Sequence, residues 1–280
     1  MDRGVRDVPA ITVETYGQVE DARVRAILEE IESCYRALTV PLPEAVVLAL
    51  FETLRDWQAY STRKRVEVGV VTAGEEGFLA THDAWEGFPR LNVCLERLLA
   101  QPPLLQQGAL HQVVAHSVLH GRPDYYRFAI PRRLILLSRS RGVEMEVLQQ
   151  VLYFVAIAIK GLEAATLLVR HGFIDDQAAL ALYQMEKEED DLTVWKMARW
   201  EPRARLLYLA AQLRPLLYAR PLFPHVPGLS ESARAMLAHL PPETAARLHT
   251  LADTLAAQCT GDTHRDVTEA LALLLDAVPE

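Results

Sequence analysis

The chain has 280 residues, half of them apolar and 24% charged, with 29 basic against 37 acidic side chains and a net charge of −8. That length suits one elaborated domain or two closely packed ones, and the apolar content excludes a disordered chain. The acidic balance argues against nucleic acid as a partner, because affinity for the phosphate backbone rests on basic side chains. The local set Arg132, Arg133, Arg139 and Arg141 reads as a solvated helix end. Cys34, Cys94 and Cys259 lie far apart, with no CxxC pair. They fit reduced thiols in a cytoplasmic protein better than a disulfide framework.

The opening MDRGVRDVPAITVETYG lacks the apolar core of a signal peptide. Within it AITVETY, residues 10–16, alternates and predicts a strand. Next, VEDARVRAILEEIESCYRAL carries Val24, Leu28, Ile31 and Tyr35 at the spacing of one helical face. Pro41 and Pro43 break the chain before a strand-like run from Ala45 to Phe51, and TLRDWQAYSTRKR predicts a second helix. Two short strands follow, Phe78 to Thr81 and Arg90 to Leu95, giving the order β-α-β-α-β-β.

After Pro103 the sequence is almost wholly helix-forming. Helices are expected at about 104–120, 129–139, 143–171, 175–187, 191–200, 203–219, 230–239, 242–258 and 263–277. The long apolar stretch VLQQVLYFVAIAIKGLEAATLLV is interrupted by Gln149, Gln150, Lys160 and Glu163, and reads as a buried helix rather than a membrane span. RPLFPHVPGLS, residues 220–230, is the best linker candidate. The expected fold class is therefore α+β, a small mixed sheet with helices followed by a large helical part. It divides into a mixed subdomain 1–103, a helical subdomain 104–220 and a C-terminal helical extension 229–280.

The chemistry concentrates in ALHQVVAHSVLHG, residues 109–121. His116 and His120 are four apart and share a helical face, with Gln112 on the same stripe. His111 lies five residues before His116, about 140° around the axis. Two imidazoles at i and i+4 form the helical half of a zinc site, and a third ligand must come from elsewhere. Glu163, in KGLEAATLLV, is the candidate. A carboxylate on so apolar a helix needs a partner, which is a metal, a histidine, Lys160 or an arginine.

A β-α-β-α-β-β lead followed by a helix reading QVVAHSVLHG resembles the zincin metallopeptidases, with HExxHxxxHG of the gluzincin-type branches as the nearest pattern. The resemblance spans roughly residues 10–172, and the EAAT segment at Glu163 is similar to the downstream helix that carries the family's glutamate ligand. It implies a zinc ion held by helix histidines and that carboxylate, with a glutamate next to the first histidine as general base. The motif is degenerate. In the natural register Gln112 stands at the first-histidine position and Val113 at the glutamate position. Shifted by four, His116 and His120 become the ligand pair and Ser117 takes the glutamate position. Neither valine nor an unactivated serine accepts a proton near neutral pH.

The resulting expectation is a zincin-like protein without peptidase activity, a pseudo-metallopeptidase acting as a binding or scaffold protein. Its metal ligands would be His116, His120 and Glu163, with zinc as the metal. His111 and Ser117 would pack beside the ligands without coordinating, and no residue is assigned a catalytic role. A cleft beside the predicted edge strand, where His82 and Asp83 fall, would take a peptide or protein segment by strand addition. Two other readings stand beside it. One is an active zinc hydrolase whose base comes from another segment; the other is a helical interaction module whose histidines are hydrogen-bonded in a metal-free core. The helices from about 229 onward could cap the cleft or mediate self-association. The acidic run MEKEEDD, residues 185–191, reads as a solvated helix junction or an attractor of a cation or basic partner. Of Trp195 and Trp200, on well-separated faces, one is expected in the core and the other at an interface or groove.

Overall fold

The computed structural model describes residues 8–68, 78–186 and 189–277. The fold is α+β, a four-stranded mixed sheet near the N-terminus and helices thereafter. The elements of the first part are β1 (Ala10–Tyr16), α1 (Asp21–Ala37), β2 (Ala45–Phe51), α2 (Leu54–Val68), β3 (Ala80–Asp83), β4 (Arg90–Cys94), a single turn α3 (Leu95–Leu98) and α4 (Pro103–Leu119). The second part holds α5 (Arg132–Ser140), α6 (Met145–Arg170), α7 (Asp175–Met185), α8 (Glu189–Ala198), α9 (Pro202–Ala219), α10 (Leu229–Met236), α11 (Pro242–Gln258) and α12 (Thr263–Ala277). The strand expected at 78–81 runs instead over Ala80–Asp83, where it pairs antiparallel with β4, Asp83 opposite Arg90. That shift brings His82 into the sheet.

The chain divides into two compact units, residues 1–126 with 170–180, and residues 127–169 with 181–280. The division differs from one drawn at residue 103: α4 stays with the sheet. Segment 220–230 is folded rather than an extended tether. Its Leu222 is fully buried, and Arg220 donates to the His249 carbonyl at 3.1 Å and to Asp253.

In the first unit the strand order is β1-β2-β4-β3, with β1–β2 and β2–β4 parallel. Central β2, AVVLALF, is almost continuously apolar, as a strand covered on both faces must be. Alternation and register put Leu48 and Leu50 of β2, Leu91 and Val93 of β4 and His82 of β3 on one face. Helix α4 packs on that side against β3 and β4, and also meets α1. The opposite face carries Ala49 and Phe51, which cluster with Trp57 and Tyr60 of α2. It also carries a polar network: Arg90, 5% exposed, is held by Glu14 at 2.6 Å and Glu86 at 3.0 Å, while Asn92 donates to Asp83 at 2.9 Å.

Helix α4 is buried on every side from Gly108 to Ser117, as expected of a helix apolar all round. Gly108 marks its closest approach to α7. A Cβ there would overlap the Asp176 carbonyl oxygen, and the Gly108 carbonyl accepts from Gln177 Nε2 at 3.3 Å. Gly108→Ala is therefore expected to destabilise the protein by about 1–3 kcal/mol, the usual cost of overpacking against backbone that cannot step aside. A chemical-denaturation midpoint unchanged from wild type would contradict this.

In the second unit α9 packs against α8, α10 and α11, and α5 packs against α12. Glu201 caps α9 by accepting from the Arg203 and Ala204 amides, with Pro202 next in the chain. Arg133 and Arg141 pair with Glu269 at 2.7 Å and Asp276 at 3.1 Å, so two members of the arginine set tie α5 to α12. Helix α6 is long and apolar enough to cross a membrane by length and composition, but 72% of its most apolar window is buried within the protein. Trp195 is 6% exposed and packs on Tyr208, whereas Trp200 is 77% exposed.

Candidate metal centre

Helical geometry brings His116 and His120 together as the spacing requires. Their Nδ1 atoms are 3.0 Å apart, with His116 5% exposed and His120 fully buried. His120 closes the helix, its amide donating to the His116 carbonyl at 2.7 Å. Gly121 follows because the chain turns there against Pro89, whose Cγ would lie 2.7 Å from any added Cβ. The third imidazole is His82 of β3, stacked on His116 with ring centroids 3.8 Å apart and planes within 6°. One ligand nitrogen from each of His82, His116 and His120 lies within 4.8 Å of the others. In a tetrahedral zinc site, bonds of about 2.0–2.1 Å set neighbouring nitrogens roughly 3.3 Å apart, so the His116–His120 separation is already close to ligand spacing. Tyr125, just beyond the helix, stands edge-on to His120 at 5.3 Å.

Glu163, expected as the third ligand, belongs to a different group. Its Oε2 accepts from Thr263 Oγ1 at 2.9 Å, and it clusters with Cys259 and Asp266 in the second unit. Burial raises its carboxyl to about 7, and the nearby Asp266 charge adds to the effect. Asp266 is already engaged, accepting from the Thr260 amide and hydroxyl, the Gly261 amide and the Cys259 thiol. Burial also pushes the Cys259 thiol up to about 11. Glu163, Cys259 and Asp266 thus form a second group that could hold a cation, separate from the histidines. The three imidazoles form an all-nitrogen donor set, the kind that transition metals take.

The remaining predicted positions take structural places. Val113 is 1% exposed in the apolar core, and Gln112 is buried on the same helix. The Ser117 hydroxyl donates to the Val114 carbonyl at 2.7 Å and lies 2.5 Å from the Tyr35 hydroxyl, locking α4 to α1. His111 points to another side of the helix, between Asp176 and Glu30, each 2.8 Å from a ring nitrogen. Asp83 follows His82 in sequence, yet its side chain falls on the opposite sheet face, accepting from Asn92 and from the Trp85 amide. Among the described residues, no carboxylate shares the ligand grouping of the three imidazoles.

His82 was within reach of sequence reasoning only as a residue of an edge strand. The registration of β3 with β4 under α4, which sequence spacing does not encode, makes it a neighbour of His116. No family model matches this chain, and no curated protein or solved structure does either. The fold and the site define an α+β chain with a three-histidine cluster, two of its rings buried and His82 half-buried.

Proposed function

We propose that the chain is a zincin-like cytoplasmic protein that has lost peptidase activity and binds a divalent transition metal, with zinc the best match, through His82, His116 and His120. One observation carries the reading: three imidazole nitrogens converge within 4.8 Å on one helix and the adjacent strand. An all-nitrogen set suits zinc, copper or nickel and disfavours calcium or magnesium, which prefer oxygen. When bound, such an ion supplies Lewis acidity and, with three protein ligands, a fourth position for a water or an oxygen of a bound group. Among the described residues, neither motif position beside the pair is a proton acceptor, since Val113 is aliphatic and the Ser117 hydroxyl is tied to Val114 and Tyr35. Binding rather than hydrolysis follows. Because β3 is the edge of the sheet and carries His82, a peptide or protein segment adding a strand there would run beside the cluster.

The experiment is elemental analysis of the full chain, with cobalt substitution as a spectroscopic check. Wild type should hold one equivalent of metal. His82→Ala, His116→Ala and His120→Ala should each lose it, while Glu163→Gln keeps it. Zinc-loaded protein should not cleave unstructured peptides. Absence of metal from the wild type, or its retention in His82→Ala, would sink the reading. The 3.0 Å Nδ1–Nδ1 contact favours a second reading, a metal-free core in which one imidazole donates to the other. In that case wild type binds no metal, and His116→Leu folds as well as wild type.

A further inference from the structure

We infer that Glu163, Cys259 and Asp266 form a second cation site, one that takes a thiophilic divalent transition metal such as zinc through one sulfur and two carboxylates. The three donors converge from separate stretches: Glu163 from within α6, Cys259 from the residue that ends α11, and Asp266 from the first turn of α12. One ligand atom of each lies within 4.8 Å of the others. These are not surface acids: Glu163 is 9% exposed and Asp266 7%, with Cys259 half-buried. All three belong to the second unit, whereas the histidine cluster belongs to the first.

The cysteine identifies the ion. Carboxylates alone would suit calcium or magnesium, but a thiolate selects zinc and its neighbours. Cys259 Sγ stands 3.4 Å from Asp266 Oδ2, its thiol donating to that oxygen. Zinc bonds of about 2.3 Å to sulfur and about 2.0–2.2 Å to oxygen set a tetrahedral sulfur–oxygen pair roughly 3.6 Å apart. An ion can therefore take the place of the thiol proton with little movement. Asp266 is already held in position. Its Oδ2 accepts from the Thr260 and Gly261 amides at 2.8 and 3.0 Å, and its Oδ1 from the Thr260 hydroxyl at 2.8 Å. The Thr263 hydroxyl orients Glu163 in the same way at 2.9 Å. Such outer bonds are what fix carboxylate ligands in metal sites. Three acids this close repel once ionised, and a divalent cation converts that repulsion into attraction. A cavity of about 330 Å³ reaches Cys259 and Asp266, lined also by Ile159, Leu255 and the opposite charges of Arg265 and Glu269. It has room for the ion and for the waters that complete its coordination. Because the ion displaces the thiol proton to solvent, this site fills from added metal, after the histidines.

The test is titration of the full chain with cobalt(II), read in the near ultraviolet, with circular dichroism to check folding. A thiolate bound to cobalt gives an intense charge-transfer band there and imidazoles give none, so the two sites are read separately. Wild type should develop the band with one equivalent of cobalt beyond that held by the histidines, and added zinc should bleach it. Cys259→Ser should lose the band outright. Glu163→Gln, which keeps the side-chain shape and the thiol, should weaken cobalt binding at this site by about tenfold or more, at least the loss that an outer partner of a ligand causes. His116→Ala should retain the band, which separates failure of this site from failure of the histidine site. A wild type with no band at saturating cobalt overturns the proposal. So does a band that persists in Cys259→Ser, one whose cobalt dependence is unchanged in Glu163→Gln, or one lost in folded His116→Ala.

Discussion

Replacing His111 by leucine is expected to cost about 1–3 kcal/mol, the range for leaving a buried hydrogen-bonding partner unsatisfied. The ring is 6% exposed at its side chain and lies between Asp176 Oδ2 and Glu30 Oε1, each at 2.8 Å, with Phe173 edge-on at 4.6 Å. The two contacts tie α4 to α1 and α7 through one ring. Leucine fills the volume but takes the imidazole from the buried Asp176 carboxyl, to which Gln177 still donates at 2.6 Å. The pH dependence gives a second handle. Burial alone would raise the Asp176 carboxyl, but the hydrogen bonds from His111 and Gln177 outweigh it and hold it below the ordinary value of 3.8. A depressed acid adds stability that is complete above its unfolded pKa and disappears as pH falls through the folded one. Wild type should therefore lose this contribution only in strong acid, and His111→Leu should lack it at neutral pH. Urea midpoints measured from neutral to acid pH check both points. The double variant His111→Leu/Asp176→Asn should be less destabilised than the two single changes added together, because no charge is then left buried without its partner. Strict additivity would show that the clamp is not a unit.

Glu163→Gln is expected to stabilise the protein above neutral pH and to leave it unchanged in mild acid. The carboxyl titrates near 7 in the folded protein instead of 4.5, chiefly because burial penalises its charge. An acid whose folded pKa is raised contributes stability that is full below the unfolded pKa and is lost as pH rises to the folded one. The window is therefore pH 4.5 to 7, and the shift across it corresponds to about 3 kcal/mol at 1.36 kcal/mol per unit. Glutamine keeps the shape and an oxygen for the Thr263 hydroxyl, which donates to Glu163 at 2.9 Å, and carries no charge to desolvate. Thermal or urea unfolding should show wild-type stability falling across that window, and a flatter profile for the variant. Equal slopes in the two proteins would place the titration elsewhere. The same substitution is the control in the metal experiment, so one protein reports on both metal binding and titration at this side chain.

Most of the elements could be read in advance. Strands at 10–16 and 45–51 and helices at 242–258 and 263–277 fall where alternation and helical periodicity place them. The pairing of His116 with His120 was equally legible, because four residues of an α-helix return a side chain to the same face whatever surrounds it. The His111 clamp was not, since Glu30 and Asp176 come from α1 and α7, 81 and 65 residues away. The one-turn helix α3 was missed for the opposite reason: four residues are too few to display a period.

The amino-acid sequence by itself determined the α+β order of elements and the imidazole pair. Each of these depends on contacts within one turn of helix or one strand, where covalent geometry sets the spacing. Tertiary structure alone decided which residue joins that pair. Register between β3 and β4, and the packing of α4 on their face, brought His82 to His116 and left Glu163 in a separate cluster with Thr263 and Cys259. Long-range register is set by the burial of whole faces at once, a sum over many side chains that no local motif displays.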